Sequence, residues 1–422
     1  MHLAELTERI AHIPAVNSHI HARGHGECRP LAEVMPFFTR LYIGRLLPFA
    51  DQRLAARLDD AHLSDQERWR EFLTLWPFVR HTGFGQTVRL MLEEWGIEGD
   101  LSEASYDPIL AALGRRSPEA SRNAFGAAGI THSISNIIGH SDREWETIAE
   151  FLAGRMEPEP GFHDLLSTVP LHTFKTRGDV EGLAGVAGFE IASLVDAERA
   201  VDAVIERAAA RGIVGLKNHC AYRRGLDIAA PDRARAEGEL AELLSGRERA
   251  ETTGLSDALF HRIVQRAVDN DLPVAIHTGM LAASADPRTN VALMAGVFAA
   301  YPRARFDLYH LNYPWMEDFL AILKRFPNTW ANCSWTQIVD PHATVEFLRR
   351  AIGAIPANHI FGFGSDSYLL PEPVVSHLRI ARANIAAALC GAIEDGQCAP
   401  ASAEEIARLW MYDNAREFYR LS

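Results

Sequence analysis

Short apolar runs of strand length alternate along the chain with longer segments whose apolar positions recur every three or four residues, and one long stretch near the start breaks the alternation. The strand-like runs are IPAVNSHIH (13–21), GITHSIS (129–135), GFEIASLV (188–195), IVGLKN (213–218), LPVAIHT (272–278), RFDLYH (305–310), TWANCS (329–334) and HIFGFGS (359–365). Helical segments lie between them. SDALFHRIVQRAVDN places apolar residues at 259, 260, 263, 264, 267 and 268, a stripe wide enough to cover a sheet, with Ser256 or Asp257 expected as its cap. DAERAVDAVIERAAARG and PHATVEFLRRAIGAIP are of the same kind.

The break spans residues 28–125, where LAEVMPFFTRLYIGRLL and ERWREFLTLWPFVRHTGFGQTVRLMLEEWG carry helical periodicity with hardly any strand signal. No Gly/Ser/Pro linker separates it from the next strand-like run, so it reads as a helical insertion within a single domain of residues 1–422. Repeated strand and helix imply a parallel sheet, and eight such units fit a closed (β/α)8 TIM barrel of the α/β class better than an open sheet. The first strand is not followed by a G-x-G-x-x-G turn, which argues against a dinucleotide-binding fold.

Composition narrows the chemistry. With 422 residues, 48% hydrophobic and 23% charged, the chain has the balance of a soluble globular protein. A net charge of −13 without a basic stripe argues against nucleic acid and leaves a small molecule as the expected partner. No apolar run reaches the roughly 18 residues of a membrane span, and the start of the chain lacks a signal-peptide core, so a cytoplasmic location is expected. A homo-oligomer is expected as well. The five cysteines form no C-x-x-C pair, so any metal is to be held by nitrogen and oxygen.

In such a barrel, chemistry sits where strands end. His19 and His21 end the first strand, Lys217 the fourth, His277 the fifth and His310 the sixth, while Asp366 comes after the eighth. Each has a bland alternative: incidental H-x-H spacing, a hydrogen-bonded core histidine, a solvent-facing lysine, a helix cap. Residues two apart on a strand share one face, as joint ligation requires, and coincidence at the ends of five strands is less economical than one metal site. Tyr222, Arg223 and Arg224 offer donors for a substrate carboxylate, although one of the arginines is expected to pair with Asp227 or Glu317. Tyr313, Trp315, Trp335 and Tyr368 lie just beyond strands six to eight, as substrate contacts or as lid packing. His25 and Glu27 come just after the first motif and read as solvated loop residues.

The order H-x-H, Lys, His, His, Asp resembles the amidohydrolase superfamily of metal-dependent barrel enzymes. The segments VGLKNHCAYRRGLDI, PVAIHTGM, HLNYPWMED, TWANCSWTQIVDP, GFGSDSYLLPEPV and YDNAREFYRL resemble the branch containing the FluG-type amidohydrolase domain, itself related to uronate isomerases. The resemblance implies that His19, His21 and Asp366 bind one divalent metal, with His277 completing that shell or joining His310 at a second ion. Lys217 stands where many members carry a carboxylated lysine bridging two metals, and Glu372, a candidate substrate contact, matches a motif position of open role. One or two Zn²⁺ ions suit this donor set, with Mn²⁺, Fe²⁺ or Ni²⁺ as alternatives.

The mechanism implied is hydrolytic. A divalent ion lowers the pKa of bound water from 15.7 to about 7; Asp366 is the expected acid/base, and His310 or the metal polarises the attacked carbonyl. The expected function is hydrolysis of a C–N, amide-type bond in a small carboxylate-bearing substrate. The rivals are sugar-acid isomerisation of the uronate-isomerase kind or decarboxylation on the same site, and a barrel that binds without catalysis. One departure stands out: Asn17 occupies a position where relatives commonly have Asp, two before the first histidine, and a role in orienting a ligand is expected of it.

Overall fold

The computed structural model describes residues 2–140, 143–249, 251–282 and 286–422. Eight strands form one parallel sheet in chain order: β1 (Ala15–Ile20), β2 (Ile130–Ile138), β3 (Phe162–Ser167), β4 (Gly215–Asn218), β5 (Val274–His277), β6 (Phe306–Tyr309), β7 (Thr329–Asn332) and β8 (Ile360–Phe361). The chain just past β8 closes the ring against β1. Ser18 N donates to Phe363 O (3.1 Å), Asp366 N to His19 O (2.8 Å) and His21 N to Ser367 O (2.9 Å). At least one helix follows every strand, which makes this a (β/α)8 barrel.

The third strand lies elsewhere than the apolar pattern suggests. Within 188–195, Gly188 (φ 90°) ends the helix Arg177–Ala187, and the Ser193 side chain caps Leu194–Ala210 by accepting from Asp196 N. Ile191 and Leu194 are the buried residues of an otherwise mostly exposed connector, apolar because they pack on the core. The strand is FHDLLS, where polar His163 and Asp164 break the apolar run; Asp164 is engaged by Arg23 at 2.9 and 2.7 Å. The expected cap of the helix before β5 is also corrected. That helix runs Thr253–Asp269, so Ser256 and Asp257 lie buried inside it.

Between β1 and β2, seven helices run from Met35–Arg40 to Pro118–Ala128 among the described residues. Phe37, Phe38, Trp69, Phe72 and Trp76 form their shared core, which also takes in Trp335, Ile338 and Leu369 from the chain after β7 and β8. The layer therefore sits over the C-terminal end of the barrel. Asp65 ties it together, accepting from Val34 N (2.7 Å), Met35 N (3.0 Å) and Tyr106 Oη (2.8 Å). The opposite end is plugged by the C-terminal Phe418, Tyr419 and Leu421, packed on Val16, Ile134, Leu165 and Phe361.

One buried histidine gives the fold a pH dependence. Asn218 Oδ1 accepts from Cys220 N, so its Nδ2 donates to His172 Nε2 (2.8 Å), and His172 Nδ1–H then donates to Ser256 Oγ (2.9 Å). Burial, aided by Arg224, pushes this imidazole down to about 3. Below the ordinary value of about 6.5 the unfolded chain takes up a proton that the native state refuses. Stability is therefore expected to fall as pH drops from 6.5 towards 3, by about 1.4 kcal/mol per unit from this residue. Urea unfolding near pH 7 and pH 5 checks it: His172→Gln, which keeps an acceptor for Asn218, should lose less on acidification, and equal losses would reject the assignment.

Candidate metal centre

His19 and His21 project from the end of β1 toward one carboxylate. Their Nε2 atoms lie 2.9 and 3.0 Å from Asp366 Oδ1. Burial alone would raise the Asp366 carboxyl, but the charge and hydrogen bonds of His19 and His21 overcome this and hold it well below the usual carboxylate range. Burial keeps the His19 imidazole low as well. Asn17 supplies the clamp behind this carboxylate: its Nδ2 donates to Ser365 Oγ (3.0 Å) and its Oδ1 accepts from Ser365 N (2.8 Å). An amide both gives and receives here, which a carboxylate does not. Gly364 allows the approach, because a Cβ would stand 2.5 Å from Ser334 Cβ and 2.9 Å from Ser18 Oγ.

The pair from β5 and β6 presents the most specific geometry. His310 Nδ1–H donates to Ser334 O (2.9 Å) and His277 Nε2–H donates to Met280 O (3.2 Å). Carbonyls only accept, which assigns both tautomers. His310 Nε2 and His277 Nδ1 are then left as lone pairs facing each other at 3.0 Å. Burial pushes both imidazoles down, His310 to about 4, so a proton is a poor match for that gap near neutrality. A divalent cation accepts both nitrogens: bonds of about 2.0–2.1 Å hold two ligands about 3 Å apart at close to a right angle. Donor atoms of His19, His310 and Asp366 lie within 4.8 Å of one another.

Backbone strain gathers at the same end. Seven non-glycine residues among those described have positive φ, and His310 (69°), Leu311 (47°), Asn312 (54°), Trp335 (63°) and Asp366 (50°) lie after β6, β7 and β8. Such conformations persist where surrounding bonds enforce them. Asn312 does so for its turn, accepting from Val291 N (2.8 Å) and donating to Trp315 O (2.9 Å).

Lys217, from β4, is fully buried, and its Nζ has no hydrogen-bond partner. It rests 3.3 Å from the centroid of the Tyr309 ring. Burial lowers it to about 7, against the opposing pull of Asp366 and Asp307. Burial thus favours the free amine, the form that carboxylation requires.

A cavity of about 470 Å³ opens over these groups, with His19, His21, Lys217, His277 and Asp366 in its floor. Tyr222 lines it against His277 (ring centroids 4.7 Å), and Tyr368 stacks on His21 (4.3 Å). Arg223 also lines it, paired with Glu144 at 2.6 Å. Arg224 turns away to Asp257 (2.6 Å), with the expected Asp227 also within 4.0 Å, while Glu317 takes Arg350. Four expected substrate contacts do not line the cavity. Tyr313 donates to Asp340 (3.2 Å), and Trp315 lies in the turn held by Asn312, its carbonyl accepting from Asn312 Nδ2. Trp335 is buried behind His310 (centroids 5.6 Å), and Glu372 pairs with Arg116 (3.3 Å) between the helical layer and the chain after β8. His25 is not a solvated loop residue: it is buried, bonded to Ser121 and packed on Phe125 and Phe162.

Other lining residues escape the sequence pattern: Tyr42 and Arg45 from the helical layer, Asn136 and His140 at the end of β2, and His219. Tyr42 Oη donates to Asp366 O (2.6 Å). His219 had a signal, since it stands two past Lys217 as His21 stands two past His19.

The fold is that of an amidohydrolase-type barrel, with a candidate metal centre at its strand ends. The family model described as Amidohydrolase matches residues 182–421, more than half of the chain, and the chain belongs to that family. Protein fluG of Emericella nidulans is 21% identical over 224 residues, 50% of this chain and 26% of that protein, so the chain spans about a quarter of that relative's length. Among solved structures, uronate isomerase from Thermotoga maritima superposes with a TM-score of 0.78 at 14% identity, covering 99% of this chain and 97% of that one. Uronate isomerase from Bacillus halodurans C-125 does so with a TM-score of 0.73 at 16% identity, over 100% and 96%. At these identities the likeness is one of fold. No helix among the described residues is long and apolar enough to cross a membrane.

Proposed function

We propose that this chain is a metal-dependent hydrolase of a C–N bond in a small, carboxylate-bearing molecule, with His19, His21, His277, His310 and Asp366 as the metal ligands and Lys217 as a further, carboxylated ligand. The observation that carries the proposal is the pair of opposed lone pairs on His277 and His310, 3.0 Å apart and next to the His19–Asp366–His21 cluster. When bound, a divalent ion supplies Lewis acidity and an acidified water. Asp366, held ionised by its two histidines, takes a proton at Oδ1 or Oδ2 and returns it to the leaving nitrogen. Ser334 fixes the His310 ring with Nε2 free to ligate, while Tyr222 and Tyr368 bound the space in which the substrate lies. Arg223 binds the substrate carboxylate, in exchange for part of its contact with Glu144.

A second reaction, sugar-acid isomerisation, is favoured by one observation: the uronate isomerases match this chain over nearly its whole length, helical layer included. Hydrolysis consumes water and releases an amine, whereas isomerisation conserves the formula. Mass spectrometry of products from an amide panel and a uronate panel, run with the Zn²⁺-loaded protein, separates them. Amine release supports the hydrolase; mass-neutral conversion of a uronate overturns it.

A further inference from the structure

The edge of the cavity made by β2 carries polar atoms that the proposed centre does not use. Asn136 is 1% exposed and lines the cavity, and neither its Nδ2 nor its Oδ1 has a hydrogen-bond partner. His140, two residues past the end of β2, leaves its buried Nδ1 equally unpartnered, with its ring between His21 (centroids 4.9 Å) and His219 (4.6 Å). A buried polar group left unmet costs about 1–3 kcal/mol, and an apolar side chain of the same size would fill the wall without that penalty. The neighbouring cation, Arg223, is balanced by Glu144. This edge therefore offers hydrogen bonds in both directions without net charge.

We propose that Asn136 is a specificity-determining residue that hydrogen-bonds an uncharged group of the ligand able both to donate and to accept, a hydroxyl or a carboxamide. The inference rests on the metal centre proposed for this chain. The chemistry excludes charged alternatives: a carboxylate has no proton for Oδ1, and an ammonium has no lone pair for Nδ2. Either would leave one half of the buried amide unmet.

The probes are linear hydroxamates, which anchor on zinc and carry short tails ending in methyl, hydroxyl, carboxamide or carboxylate. Their dissociation constants for the Zn²⁺-loaded full chain are measured by calorimetry, beside Asn136→Leu and the smaller Asn136→Ala. The hydroxyl or carboxamide tail should bind about tenfold tighter than methyl, and that gap should close in both variants while methyl-tailed binding persists; any gain for the carboxylate tail, which Arg223 can supply, should be unchanged in them. The two neutral tails show which group is preferred. Equal binding of the methyl and the two neutral tails, or a neutral-tail preference that survives in the variants, overturns the inference and leaves the metal reading intact. Failure of every hydroxamate, methyl-tailed included, overturns the metal reading and this inference with it.

Discussion

Asp366→Asn is expected to weaken Zn²⁺ binding by more than about a hundredfold and to abolish metal-dependent turnover while the fold remains. Groups that merely support a metal ligand are worth about 10- to 100-fold in affinity, and this change removes the negative charge toward which both β1 histidines point. The backbone of residue 366 stays anchored through its bonds with His19 O and Tyr42 Oη. Asparagine also tolerates its left-handed φ of 50°. Competition with a chromophoric chelator gives the affinity and circular dichroism checks the fold. Affinity within a few-fold of the wild type would remove Asp366 from the centre.

Asp257→Ala is expected to destabilise the chain by about 3–5 kcal/mol, because it strands a buried guanidinium. Arg224 and Asp257 meet at 2.6 Å with 5% and 7% of their side chains exposed. Asp257 also accepts from Ala229 N (3.2 Å), so the loop beyond β4 loses an anchor with it. The other nearby acid, Asp227, is 4.0 Å away and half exposed, too weak a substitute. Urea unfolding measures the loss. The double variant Arg224→Leu with Asp257→Leu should be more stable than Asp257→Ala alone, since it buries no unpaired charge. A loss below about 1 kcal/mol for Asp257→Ala would show that water reaches Arg224 and that the pair is not the anchor described.

The parts of the structure legible in the sequence are those set by local periodicity. Seven of the eight strand-like runs are strands, because each is a short apolar run bounded by turn or helix signals. The convergence of the histidines and Asp366 is legible from position alone, since a barrel delivers its strand ends to one rim. The 188–195 run misled because burial, not pairing, selected its apolar residues, and β3 hid behind His163 and Asp164. Asn136 and His140 were missed because β2 runs to Ile138, three residues beyond its apparent end at 135. Tyr42 and Arg45 reach the cavity only through packing of the helical layer, which no local pattern encodes. For Tyr313 and Glu372 the error has another cause: their polar groups are claimed by Asp340 and Arg116, which lie far from them in the chain.

The most direct test of the proposed centre is anomalous diffraction from crystals of the Zn²⁺-loaded protein, beside crystals of Lys217→Ala. An ion is predicted within about 2.0–2.3 Å of His19 Nε2, His21 Nε2 and an Asp366 oxygen. The His277–His310 gap should hold the same ion or a second one, and the occupancy of a bridged second ion should fall in the lysine variant. Zinc found elsewhere on the chain, with His277 and His310 still 3.0 Å apart across an empty gap, would contradict it.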